Sequence, residues 1–153
     1  MFFCHSSIGK GAVIRGCEFN GSLARGIRLQ SSGAVIENNR FSRLLSSAIT
    51  FAGQPGFWGE AANSSDVIVK NNHILEANSA SSPHFGAIYA VTPGKGDPLR
   101  RIQGLVIENN TLENCGASGI VIETCDDVKL HGNVIDGYGQ VQYQGKKPIP
   151  DYG

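Results

Sequence analysis

The side chains best equipped for chemistry gather in two stretches of this sequence. "AGQPGFWGEAANSS", from Ala52, holds Phe57, the only tryptophan, Trp58, and Glu60. "TPGKGDPLRR", from Thr92, holds Lys95, Asp97, Arg100 and Arg101. An aromatic ring beside a carboxylate suits a sugar, because the faces of a pyranose are apolar while its rim of hydroxyls calls for charged or amide partners. Glu60 and Asp97 are the candidate catalytic pair, since glycoside hydrolysis ordinarily uses two carboxyls, about 5 to 5.5 Å apart for retention or about 6.5 to 9.5 Å for inversion. The competing reading is structural: Phe57 and Trp58 fold back over apolar strand surface, and Glu60 pairs with an arginine. His84, in "EANSASSPHF" from Glu76, is read as a loop residue bonded to backbone. Asp126 and Asp127, in "CDDVKL", are read as the turn entering the last strand.

The elements that must carry these stretches are repeats. "VIENNRF" at Val35 has near-copies in "VIRGCEF" at Val13, "IVKNNHI" at Ile68 and "VIENNTL" at Val106. The second residue of each Asn pair serves as an anchor: Cys17, Asn39, Asn72, Asn110 and Asn133, separated by 22, 33, 38 and 23 residues. Apolar residues stand five and three before each anchor, the period-two pattern of a strand with one buried face. Phe19, Phe41, Ile74, Leu112 and Ile135 follow two after it, so burial resumes beyond a bend. The residue just before the anchor is always Gly or Asn, the types that enter a left-handed backbone most cheaply. One Asn then bends the chain. The other, pointing inward, joins a ladder of Asn39, Asn72, Asn110 and Asn133 whose amides repeat at about the 4.8 Å strand spacing and bond to one another and to turn backbone. Cys17 is expected to be a small buried substitute at the first rung.

A second strand follows in each repeat: "GIRL" at 26, "AITF" at 48, "AIYA" at 87 and "GIVI" at 119. A leucine-rich repeat would place a helical turn after the Asn, and a left-handed hexapeptide helix needs an 18-residue coil, which these spacings exclude. The expected fold is all-β: a right-handed parallel β-helix of about five coils, one domain over 1–153, with 138–153 as a tail or cap. From the first inward Ile of each second strand to the next anchor the chain takes 12, 23, 22 and 13 residues. Two adjacent coils therefore carry insertions at one corner, namely the two chemistry-bearing stretches. Arg28, Thr50, Tyr89 and Glu123 are the outward second-strand positions between these loops. The candidate sugar site comprises Trp58, Glu60, Arg28, Tyr89 and Arg100.

Other features are read as scaffold. Two before the anchors stand Arg15, Glu37, Lys70, Glu108 and His131, a ladder of alternating sign worth about 0.2 to 1 kcal/mol per exposed pair. Four before them stand Val13, Val35, Ile68 and Val106, an apolar strip that a loop, the tail or another subunit should cover. Thirteen basic residues balance thirteen acidic ones, so no net field draws the chain to nucleic acid. The start "MFFCHSSIGKG" lacks the basic and long apolar regions of a signal peptide, and no apolar run is long enough to span a membrane, while the cellular location is not readable. The four cysteines have no metal-ligand spacing, so packed thiols are expected rather than zinc, and no cofactor is called for.

Arg25 to Ile74 resembles the later coils of right-handed β-helix glycosidases of the pectin-lyase-like superfamily, above all the bacterial α-1,3-galactosidases of glycoside hydrolase family 110. The shared order is an Arg-Gly strand at Arg25 and Gly26, an Asn-Asn-x-Phe turn at Asn38 to Phe41, a Ser-Ala-Ile strand at Ser47 to Ile49, and a Trp-x-Glu loop at Trp58 and Glu60. That resemblance implies a carbohydrate-active domain. It also implies that the acidic catalytic residues precede the Arg-Gly strand, where this chain offers only Glu18. The expectation is thus the C-terminal portion of such an enzyme, or a short relative, binding sugar without a complete catalytic set. The alternative class is an assembly module that dimerises through the apolar strip or an open first coil. A polysaccharide lyase acting on an acidic glycan, hinted at by Arg100 and Arg101, ranks third.

Overall fold

A computed structural model describes residues 10–51, 64–79, 85–91 and 102–139. Trp58, Glu60, His84, Asp97, Arg100, Arg101 and the 140–153 part of the expected tail lie outside these residues. Every described regular element is a strand, and every pairing is parallel. Three sheets run along the axis. The first contains β1 (Val13–Arg15), β4 (Val35–Glu37), β7 (Ser65–Lys70) and β10 (Ile102–Glu108), with β13 (Cys125–Asp126) and β14 (Lys129–His131) both pairing to β10. The second contains β2 (Glu18–Asn20), β5 (Arg40–Ser42), β8 (His73–Leu75), β11 (Thr111–Glu113) and β15 (Val134–Asp136). The third contains β3 (Ile27–Arg28), β6 (Ile49–Phe51), β9 (Gly86–Val91) and β12 (Ser118–Glu123). Residues that the repeat aligns are direct neighbours: Ile14, Ile36, Val69, Ile107 and Leu130 fall in one register file. The chain is a parallel β-helix whose first four coils each place one strand in every sheet, while the described part of the fifth adds strands to the first and second sheets only.

The bends have a regular chemistry. Left-handed residues recur six before, one before and four after the anchor: Gly33, Asn38 and Arg43 in one coil, and Asp66, Asn71 and Glu76 in the next. Such a step sends its N–H to a carbonyl of the following rung, as Asn71 does to Glu108 and Glu76 to Glu113. A left-handed conformation costs an ordinary L-residue about 1 to 2 kcal/mol. Arg43 and Glu76 carry that cost because the rungs above and below impose the corner.

The ladder closes as expected. Asn39 Oδ1 accepts from the Cys17 N–H at 2.9 Å, and Asn72 Oδ1 accepts from both the N–H and Nδ2 of Asn39 at 3.0 Å. Asn110 and Asn133 continue the pattern, and each ladder Nδ2 also donates to a strand carbonyl one coil back, such as Asn72 to Ile36. Behind it, Phe19 and Phe41 stack with centroids 4.8 Å apart and planes at 7°. Below them run Ile74 and Leu112, fully buried, each such side chain contributing about 1.5 to 3 kcal/mol.

Several expectations change. Cys17 is exposed, not buried: it stands at the first described rung, where its backbone joins the ladder but no described rung covers its thiol. Asp126 belongs to the short strand β13, and only Asp127 makes the left-handed turn. Glu37, read as an exposed charge, is 7% exposed, because Arg15 at 2.5 Å and Lys70 at 3.3 Å close over it from the neighbouring rungs. The apolar strip is fully open only at Val13, since Val35, Ile68 and Val106 are half-buried. At the last described coil the inward residues Leu130 and Ile135 are 48% and 41% exposed.

Candidate functional site

The outward face of the third sheet carries Arg28 and Tyr89, the two candidate sugar-site residues that are described. Alternation along each strand turns Ile27, Ile49 and Ile88 inward, and the next residues outward. Pairing sets Arg28 beside Thr50, Thr50 beside Tyr89, and Tyr89 beside Val121, in four consecutive coils. Glu123 lies one outward position further along, beside Val91. Of the sequence candidates, Arg28 and Tyr89 therefore share one file. The insertions bearing Trp58 and Glu60, and Asp97 and Arg100, are rooted at the ends of the adjacent strands β6 and β9, at Phe51 and Val91.

Tyr89 is the centre of this face. Burial pushes its phenol above the ordinary value; the Glu123 carboxylate pushes the same way, and the Arg25 guanidinium opposes both. The Phe85 ring meets Tyr89 edge to face, with centroids 4.9 Å apart at 86°. That geometry sets the positive ring edge of one against the negative face of the other. Thr50, beside Tyr89, is 1% exposed, and its Oγ1 is a buried polar atom with no hydrogen-bond partner. Such atoms are rare in folded proteins.

Chemically, this face carries an aromatic ring at Tyr89, a guanidinium at Arg28 and a flanking carboxylate at Glu123, with the Thr50 hydroxyl buried between the first two. Sequence reasoning missed Phe85 and Arg25: the first lies beyond an insertion whose closure the pattern does not fix, and the second acts on Tyr89 only through its charge, from two coils away. It also missed the pairing of His73 Nε2 with the Glu113 carboxylate on the second sheet. Among the described residues no group of three His, Cys, Asp or Glu side chains is placed to hold a metal ion.

Stacked parallel sheets, an internal Asn ladder and a polar outer face define a solenoid class, and the chain belongs to the family described as "Right handed beta helix region", which matches residues 4–147. Within that class it is related to a glycosidase. Alpha-1,3-galactosidase B of Bacteroides thetaiotaomicron (strain ATCC 29148 / DSM 2079 / JCM 5827 / CCUG 10774 / NCTC 10582 / VPI-5482 / E50) is 26% identical over 161 residues, covering 82% of this chain and 26% of that protein. The chain thus spans about a quarter of the length of the curated relative it matches. No solved structure matches.

Proposed function

We propose that this β-helix domain binds a galactoside on the outward face of its third sheet. Tyr89 supplies the apolar plate, Arg28 donates hydrogen bonds to hydroxyls, and Trp58, Glu60 and Arg100 extend the surface from the two insertions. The observation that supports this reading is the Arg28, Thr50, Tyr89 file, in which an aromatic ring packed edge to face against Phe85 stands one rung from a threonine and two rungs from an arginine. The kinship to an alpha-1,3-galactosidase makes an α-linked galactose the first sugar to try. Binding is proposed without hydrolysis by this chain alone; Glu60 and Asp97 are the pair that hydrolysis would require.

Calorimetric titration with methyl α-galactoside and with α-1,3-linked galactobiose tests this. Loss of the ring in Tyr89→Ala should weaken binding by about tenfold, the equivalent of a stacking contribution near 1.4 kcal/mol. No heat with either sugar, or an unchanged affinity in Tyr89→Ala, would reject the site.

A further inference from the structure

We propose that Asn78 is a positioning residue for this face: it holds Phe85 so that the Phe85 ring, perpendicular to that of Tyr89, braces Tyr89 in the orientation a sugar stacks on. The inference rests on the sugar-binding reading above and adds a residue that nothing in the repeat pattern suggests. Asn78 and Phe85 flank the insertion before β9, and the Asn78 Nδ2 donates to the Phe85 carbonyl at 2.6 Å. One amide therefore joins the two ends of that insertion. Phe85 is followed directly by β9, whose fourth residue is Tyr89, so fixing the Phe85 backbone fixes where its ring enters the face.

The Asn78 end is itself held by the coils on both sides. Its N–H donates to the Ser46 carbonyl at 3.0 Å, and the Ser79 N–H and hydroxyl both reach the Leu44 carbonyl at 3.3 Å. On the other side a Cβ placed on Gly116 would collide with the Asn78 carbonyl oxygen, so the next coil packs directly against this backbone. The backbone of Asn78 is left-handed, with φ 59°, which Asn tolerates better than most side chains. The choice of Asn has a cost as well: the residue is 1% exposed and its Oδ1 has no partner. A side chain serving only the left-handed turn would be better replaced by glycine. The amide is explained by its donor, and Asp at this position would turn an acceptor toward the Phe85 carbonyl.

The test compares Asn78→Gly, which keeps the left-handed backbone at no steric cost, with Asn78→Ala and the wild type. Two readouts are taken on each: nuclear Overhauser effects between the Phe85 and Tyr89 rings, and affinity for methyl α-galactoside. Disappearance of the ring-to-ring effects together with about tenfold weaker binding in both variants, with the far-ultraviolet dichroism of a β-helix retained, is the expected result. Ring-to-ring effects and affinity unchanged in Asn78→Gly would overturn the proposal, whatever Asn78→Ala does to folding. Disappearance of those effects while binding persists at wild-type strength would overturn it too, since the bracing would then not serve the sugar. If the wild type binds no galactoside while the ring-to-ring effects vanish in the variants, the sugar-binding reading fails and the claim that Asn78 holds Phe85 survives alone.

Discussion

Replacing Asn72 by alanine tests the ladder at its most enclosed rung. Asn72 is buried, its Oδ1 accepts from the N–H and the Nδ2 of Asn39, and its Nδ2 donates to the Ile36 carbonyl and to Asn110 Oδ1. Asn110 Oδ1 would keep the Asn72 N–H, and Asn39 Nδ2 would keep the Ile14 carbonyl. One group would be left unpaired, the Asn39 N–H, because the Ile36 carbonyl sits in the β4–β7 strand pairing. Leaving a buried polar group unpaired costs about 1 to 3 kcal/mol, a sizeable share of a stability near 5 to 15 kcal/mol. Asn133→Ala is the matched control. It removes the same kind of bond to the Asn110 N–H and Nδ2, but at a half-buried rung where water can reach, and should cost about 1 kcal/mol or less. Equilibrium urea unfolding followed by far-ultraviolet dichroism reads both. Equal losses in the two variants would refute the reasoning, because the ladder bonds would then be no more consequential inside the stack than at its end.

Three further outcomes are expected. Glu76, exposed and left-handed at φ 54°, should be neutral to stabilising as Gly and should lose about 1 to 2 kcal/mol as Val, measured by thermal unfolding. Gly116→Ala should destabilise by about 1 to 3 kcal/mol in urea, because the new methyl group meets the Asn78 carbonyl, a backbone atom that cannot swing aside. Glu37 is held below the ordinary carboxylate range, first by its hydrogen bond from Arg15 and then by Lys70, against an opposing effect of burial. A carboxylate depressed on folding stabilises above its unfolded pKa, and that stability is lost as the pH falls through its own lower value. Glu37→Gln should therefore flatten the acid side of the stability profile, and an unaltered acid limb in urea titrations from neutral to acidic pH would contradict the pairing.

What was legible in the sequence is what repeats. The Asn anchors, the apolar file through Ile36, Val69 and Ile107, and the Arg15, Glu37, Lys70 order all follow from residues that become neighbours when coils stack, and the pairings bear them out. The second bend of each coil was not legible. Arg43 and Glu76 have no intrinsic preference for a left-handed backbone, and that conformation comes from carbonyls of the next rung. The burial of Glu37 was missed for a related reason, since alternation tells which way a side chain points but not that two longer neighbours close over it. At the candidate site, counting from the inward Ile residues was enough to bring Arg28 and Tyr89 into one file. Phe85 and Asn78 escaped because their contact depends on how an insertion closes, which no period records.

The most direct test of a sugar surface on the third sheet is a map of backbone and aromatic nuclear resonance shifts during titration with α-1,3-linked galactobiose. Saturable shifts gathered at Arg28, Thr50, Phe85, Tyr89 and Val121, with the first and second sheets unmoved, are expected. An unchanged spectrum at millimolar sugar, or shifts centred on Val35, Ile68 and Val106, would contradict it.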